Sequence, residues 1–290
     1  HSQKITQMKH YYILAICCLF SIGMHAQDDL LDELEDDAIP EKFESPAFKA
    51  MKIGNLQSTK VAAKGDFYMY VSHRFGTLDD GLSTFFGFDN ANTKIQLVYG
   101  LFEGWQFGVS RESLRQTYAL STKMKLKSQT DAFPVNLVGY ATANINTQVR
   151  KDRFPFLTFA DRLSYTTQLL ISRRFNNNFS FELAPSYIRQ NLTLEAPQKH
   201  DQFAMGAGGR LKISKRMSIN LDYVYNFSRV DGTAFKNPLT IGVDIETGGH
   251  VFQLLFSNAQ STNEPGFLSY AEGDWTDGDI FFGFNIVRVF

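Results

Sequence analysis

Charged side chains recur at every second position within the apolar stretches of this chain. "TYALSTKMKLKS" (117–128) sets Lys123, Lys125 and Lys127 on the opposite parity from Tyr118, Leu120, Met124 and Leu126. The same parity in other stretches collects Lys94, Arg174, Arg210 and Lys212 with Asp66, Glu182, Asp222, Asp244 and Glu246. Groups of both signs converging on one enclosed face can do two kinds of work. They can form charge rings that select a solute in a watery passage, or they can pair with one another and close it. The free width of the passage decides between these, and the sequence does not set it.

Other chemistries have less to stand on. Both cysteines, Cys17 and Cys18, fall in an apolar leader, so the chain beyond it offers no disulfide, thiolate metal site or thiol nucleophile. The histidines beyond the leader are His73, His200 and His250. A hydrolase needs a histidine and a serine on one face, but adjacent Ser72 and His73 point to opposite sides of a strand. The acidic loop Ser261–Asp279 carries Glu264, Glu272, Asp274, Asp277 and Asp279, and "GDWTDGD" spaces oxygen ligands as a calcium site could. An ordinary solvated loop is the simpler reading. No catalytic residue, metal ligand or cofactor is expected.

The elements that must position these charges are strands. "SINLDYVYNFS" (218–228) places Ile219, Leu221, Tyr223, Tyr225 and Phe227 on one face, against Ser218, Asn220, Asp222, Asn226 and Ser228. Period-two alternation is the signature of a strand with one apolar face. It recurs in twelve segments: 65–76, 91–102, 105–113, 117–129, 135–148, 162–175, 179–192, 203–214, 217–230, 239–247, 250–260 and 280–290. Tight connections such as Glu103-Gly104, Asn176–Asn178, Lys215-Arg216 and Gly248-Gly249 alternate with longer ones at 77–90, 149–161, 193–202, 231–238 and 261–279, with 114–116 a short exception among the latter. A soluble sandwich has no reason to sort its loops by side, whereas a transmembrane barrel has short periplasmic turns and long external loops. The expected fold is therefore all-β, a transmembrane up-and-down antiparallel β-barrel of about twelve strands. The loop Thr77–Asn90 is too apolar to be free, and its Phe85, Phe86 and Phe88 are expected in the lumen, at the interface or on a partner.

Bulk properties agree with this reading. The 29 basic and 30 acidic residues leave no basic footprint for nucleic acid. A mean hydropathy of −0.22 excludes a bundle of transmembrane helices. The 27 phenylalanines and 12 tyrosines favour strands and membrane interfaces. "MKHYYILAICCLFSIGMHA" (Met8–Ala26) reads as a secretory signal peptide, with an upstream remnant before it, so that 1–26 is excluded from the mature fold. Residues 27–64, acidic at first and broken by Pro40 and Pro46, are expected to form a periplasmic linker, and 65–290 the barrel in the cell outer membrane.

The last strand, "FFGFNIVRVF", alternates Ile280, Phe282, Phe284 and Ile286 outward and ends on Phe290. An aromatic final residue behind an apolar stripe is an assembly signal of outer-membrane barrels, so Phe290, Ile286, Phe284 and Phe282 are expected to meet the barrel assembly machinery and then outer-membrane lipid. Arg288 breaks the stripe, but near the membrane rim a guanidinium can reach the headgroups at little cost. The strand is expected to pair with the first, near "DFYMYVSHRFG".

The stretches "VSHRFG", "FFGFDNA" (Phe85–Ala91), "LVYGLFEGWQFGVSR" (Leu97–Arg111) and "DGDIFFGFNIVRVF" resemble a family of Bacteroidota outer-membrane β-barrel proteins known only as a domain of unknown function. The likeness runs from about Phe48 to Phe290. It implies a barrel and no particular activity. Two functions follow from the residues: a porin-like conduit for small solutes with a mixed-charge lumen, or a closed structural barrel that binds an envelope protein partner.

Overall fold

The computed structural model of the protein describes residues 46–79, 81–152, 154–193, 198–247 and 250–290. The leader, the acidic run before residue 46 and the Gly248-Gly249 turn lie outside the described residues.

Alternation builds twelve strands: β1 (Phe67–Thr77), β2 (Ala91–Phe102), β3 (Trp105–Glu112), β4 (Thr117–Lys127), β5 (Asn136–Asn146), β6 (Leu163–Arg174), β7 (Phe179–Gln190), β8 (Asp201–Lys212), β9 (Met217–Asn226), β10 (Leu239–Thr247), β11 (His250–Ser257) and β12 (Phe281–Val289). Each pairs antiparallel with the next, and β1 pairs with β12 to close the barrel. The burial pattern is inverted relative to a soluble sheet. In β9, Ile219, Leu221, Tyr223 and Tyr225 are exposed while Ser218, Asn220 and Asp222 are buried. Large apolar side chains around the whole outer wall, such as Ile95, Leu120, Phe203 and Leu211, would be costly in water at ~25 cal/mol per Å². They suit hydrocarbon, where only a closed barrel or a helix leaves no backbone group unpaired.

The closing seam carries the end-of-chain features. Tyr68 sits opposite Val289 and His73 opposite Phe284. The Phe290 N–H donates to the Phe67 carbonyl at 2.9 Å, and the two rings lie 5.9 Å apart. Arg288 is exposed, between Met69 and His250 on the flanking strands, with its guanidinium 4.7 Å from the Phe290 ring centre. Further along the seam, the outer rings form a ladder: His73 on Phe284 at 5.1 Å, and Phe75 on Phe282 at 5.8 Å. The loop Thr77–Asn90 extends this ladder. Its Phe88 lies 4.5 Å from Phe75, and Phe85 and Phe86 are exposed, so the loop stays on the outer wall and does not enter the lumen.

The interior holds two pieces of chain that the alternation did not reveal. Residues 46–64 fold inside the barrel as a finger, and Ala47, Phe48, Met51, Ile53, Leu56 and Ala62 are all buried. The linker expected over 27–64 is therefore corrected: from Pro46 onward the chain is part of the barrel's compact unit, which runs to Phe290. The β11–β12 connection is the second piece. It was expected as a solvated loop, yet its helix α1 (Glu264–Ser269) is buried at every position. The physical reason is its attachment to the inward Glu112, which places Phe267 and Leu268 against the wall with no exposure at all.

Removing Phe290 deletes its N–H bond to Phe67 and its ring contacts with Phe67 and Arg288, together worth ~2 kcal/mol. The fraction of chain reaching the heat-modifiable folded form should fall on deletion, and an unchanged fraction would show that the seam does not need it.

Candidate functional site

The finger is a short hairpin. The Ile53 N–H donates to Leu56 O and the Ser58 N–H to Met51 O, both at 2.9 Å, and Gly54-Asn55 forms the tip. Its returning leg leaves at the short-turn end, where the Ala62 N–H donates to Gln106 Oε1 at 2.6 Å and the Gly65 N–H to Gly100 O at 2.8 Å. The tip stands far up the lumen, since Asn55 Nδ2 donates to Thr240 Oγ1 at 3.1 Å and Ser257 Oγ at 3.0 Å, both near the long-loop ends of their strands.

Buried charges need partners, and the finger's backbone supplies them. Lys123 Nζ donates to the carbonyls of Ser58 at 2.8 Å and of Met51 and Lys60 at 3.2 Å. Glu182 Oε2 accepts the Thr59 N–H at 2.9 Å, and Asp222 Oδ2 accepts the N–H groups of Asn55 at 2.9 Å and Leu56 at 3.4 Å. Asp244 acts one step removed: it accepts from Gln253 Nε2 at 2.8 Å, and that nitrogen also reaches Ile53 O at 3.0 Å. Apolar contacts complete the fit. The inward face of β8 has glycines opposite the finger's side chains. A Cβ at Gly206 would lie 2.9 Å from Leu56 Cδ1, and one at Gly208 would lie 2.6 Å from Ile53 Cδ1.

The remaining expected lumen charges divide by height. Lys94 is buried, and Arg210 pairs with Glu246 at 2.5 Å. Lys125, Arg174 and Lys212 share the inward parity but lie at the short-turn rim, where Lys125 and Lys127 are exposed; a bulge after Lys125 sets Lys127 opposite the outward Leu137, so the lumen position expected of Lys127 is corrected. There Lys127 stands 5.8 Å from the Phe133 ring and Arg174 Nη2 donates to Asn177 Oδ1 at 3.2 Å. Among the described residues no continuous charge ring forms; Lys123, Glu182 and Asp222 instead grip the finger. Several residues that share this task went unnoticed in the sequence. Arg74 Nη2 donates to Asn55 Oδ1 at 2.9 Å, and Asn285 Nδ2 to Gly54 O at 3.4 Å. Their signal was present, as both are polar groups on the inward parity, Arg74 two places from Ser72.

The second insertion is tied down by Glu112. Its carboxylate accepts the Thr262 N–H at 2.6 Å, the hydroxyls of Thr262 at 3.0 Å and Ser261 at 3.1 Å, Asn92 Nδ2 at 2.8 Å, and Asn263 Nδ2. Asn263 then caps α1 through the Gly266 N–H at 2.8 Å. Phe267, Leu268 and Ala271 cluster with Leu56, Leu170, Ile188 and Val224, so finger, loop and wall share one apolar core. Polar links join the two insertions directly: Gln57 Nε2 to Glu264 Oε1 at 2.7 Å, and Lys52 Nζ to Thr262 O at 2.8 Å. Further out, Lys236 at 2.8 Å and the Thr276 donors hold the Asp274 carboxyl well below the usual carboxylate range. These bonds occupy the Asp274 oxygens that a calcium ion would use, and among the described residues no cluster of three metal-ligating side chains occurs.

Removing the Lys123 ammonium leaves the Ser58 and Lys60 carbonyls without a donor and Met51 O with the Ser58 N–H alone, a loss of at least ~2 kcal/mol. Lys123→Met should speed trypsin cleavage after Lys52 and Lys60 at least ten-fold in the folded protein. Equal protection of variant and parent would show that the finger is held by other means.

A family model described as "Membrane bound beta barrel domain (DUF5777)" matches residues 48–290. That match starts inside the finger. No curated protein matches the sequence. Among solved structures, the COG4313 outer membrane channel from Pseudomonas putida F1 is similar with a TM-score of 0.50 at 12% identity, over 80% of this chain and 97% of that one. The NanC porin gives a TM-score of 0.49 at 7% identity over 77% and 98% of the two chains. Omp33 of Acinetobacter baumannii gives 0.43 at 9% identity, over 78% and 98%. At such identities the likeness is one of fold.

Proposed function

The chain belongs to the family of membrane-bound β-barrel domains, and we propose that this outer-membrane barrel is a small-solute conduit held shut by its own N-terminal finger. The carrying observation is how the finger is gripped. Most of its bonds to the wall join backbone groups to Lys123, Glu182, Asp222, Gln253 and Asn285, all of which water could solvate in its place. Its returning leg reaches the short-turn end, the periplasmic side in barrels of this kind, and withdrawal that way would uncover a polar mixed-charge wall. On this reading the lumen charges serve the solute only after they have released the finger.

A second reading is a closed structural barrel serving an envelope partner, and the glycine hollows that seat Leu56 and Ile53 favour it. Neither reading involves catalysis. His73 faces outward, bonds Thr93 at 2.8 Å and stacks on Phe284, a structural placement. The Bacteroidota origin implied by the sequence resemblance belongs with this proposal.

A disulfide lock separates the two readings. Asn55 and Ser257 touch across the tip, and the described residues contain no other cysteine, so an Asn55→Cys, Ser257→Cys double variant can pin the finger. In liposome swelling, the reduced protein should pass small solutes at least ten-fold faster than the oxidised one. Identical rates in the two states, with the crosslink confirmed by mass and the barrel shown to be folded, would rule out the moving finger.

A further inference from the structure

A cavity of about 50 Å³ opens at the long-loop end, between the ends of β4–β7 and the start of α1. Its volume exceeds that of a single water site and suits a carboxylate-sized group. Two guanidiniums line it, those of Arg115 and Arg162. Arg115 is held in place by its backbone and by an aromatic ring. Its φ is 56°, a left-handed conformation costly for a non-glycine residue, and its guanidinium lies 4.1 Å from the Tyr270 ring centre. Its nearest acid, the largely exposed Glu272, stands 3.7 Å away.

The cavity also holds donors without acceptors. Arg162 Nε is buried and has no hydrogen-bond partner. Gln190 is 3% exposed; its Oε1 accepts from Tyr270 Oη, while its Nε2 is left without a partner. Buried donors of this kind are rare in folded proteins and mark a missing acceptor. The one acid in the lining, Asp161, is turned to its own loop: Oδ2 accepts the Thr158 N–H at 2.7 Å and its hydroxyl at 2.8 Å.

We propose that this cavity is a carboxylate-binding site at the mouth of the barrel. A carboxylate would accept from the side-on edge of Arg162 through Nε, from Gln190 Nε2 and from the Arg115 guanidinium. Charge-assisted, forked contacts of this kind discriminate an anion from a neutral isostere. None of its lining residues belongs to the finger.

The test uses the full-length folded protein in detergent and ligand-observed NMR titration with acetate, acetamide serving as the neutral isostere. Acetate should saturate at millimolar concentration and bind at least ten-fold more tightly than acetamide. Arg162→Gln should weaken acetate at least ten-fold. Asn146→Asp adds a negative charge to the lining while keeping the acceptor for the Gln148 N–H, and should abolish binding without touching either arginine. Acetate that fails to bind, that binds no better than acetamide, or that binds both variants as it binds the parent, would overturn the proposal.

Discussion

A barrel of twelve strands encloses more space than its inward side chains can fill, and something must occupy it. Eight strands give an interior that side chains can pack, and wider barrels hold water, ligand or inserted chain. Closure of β1 on β12 settles the backbone account of the wall. The contents of the lumen remain the free variable, and here they are polypeptide from both ends. Once the finger is in place, inward charges become buried charges, which stand only if partnered. That explains why Lys123 meets three carbonyls and why Asp222 meets two N–H groups. The positions of these charges follow the unpaired backbone of the finger.

The wall was legible because its signal is local. Strands β2 and β10 have the bounds that alternation predicts, 91–102 and 239–247. The prediction overshoots at β9, which ends at Asn226, because Phe227 and Ser228 keep the parity beyond it. The finger was hidden for the opposite reason. "PAFKAMKIGNLQSTKVAAK" has apolar residues at neither helical nor strand period, and they are buried only by strands far away in sequence. Its imprint on the wall was the better clue: an inward stripe of Ala204, Gly206 and Gly208 leaves a hollow where an aqueous lumen would gain nothing from one.

The two aromatic loops show how little composition alone decides. Phe85 and Phe86 in one loop and Phe267 and Leu268 in the other are equally apolar, yet the first pair faces out and the second pair in. The difference lies in the attachment. The first loop continues the outer ring ladder of Phe75 and Phe282, whereas the second is drawn inward by Glu112, an inward group at the end of β3. A single carboxylate with five donors thus turns a long connection into part of the core, which a residue count of the loop does not show.

The two insertions differ in what their removal would expose. Lifting α1 out would strip Phe267, Leu268 and Ala271 from an apolar cluster and leave the Glu112 carboxylate without most of its donors. The connection is also tethered at both ends to neighbouring strands β11 and β12. Withdrawing the finger would uncover chiefly Lys123, Glu182, Asp222 and Asn285, groups for which water is an adequate substitute at ~0.5–1.5 kcal/mol for each neutral bond and somewhat more for the charged ones. Phe48, Met51, Ile53 and Leu56, with the smaller Ala47, Ala50, Val61 and Ala62, would resist as apolar anchors. The links from Lys52 to Thr262 and from Gln57 to Glu264 join the two insertions inside the lumen, so the finger is seated against chain as well as against the wall.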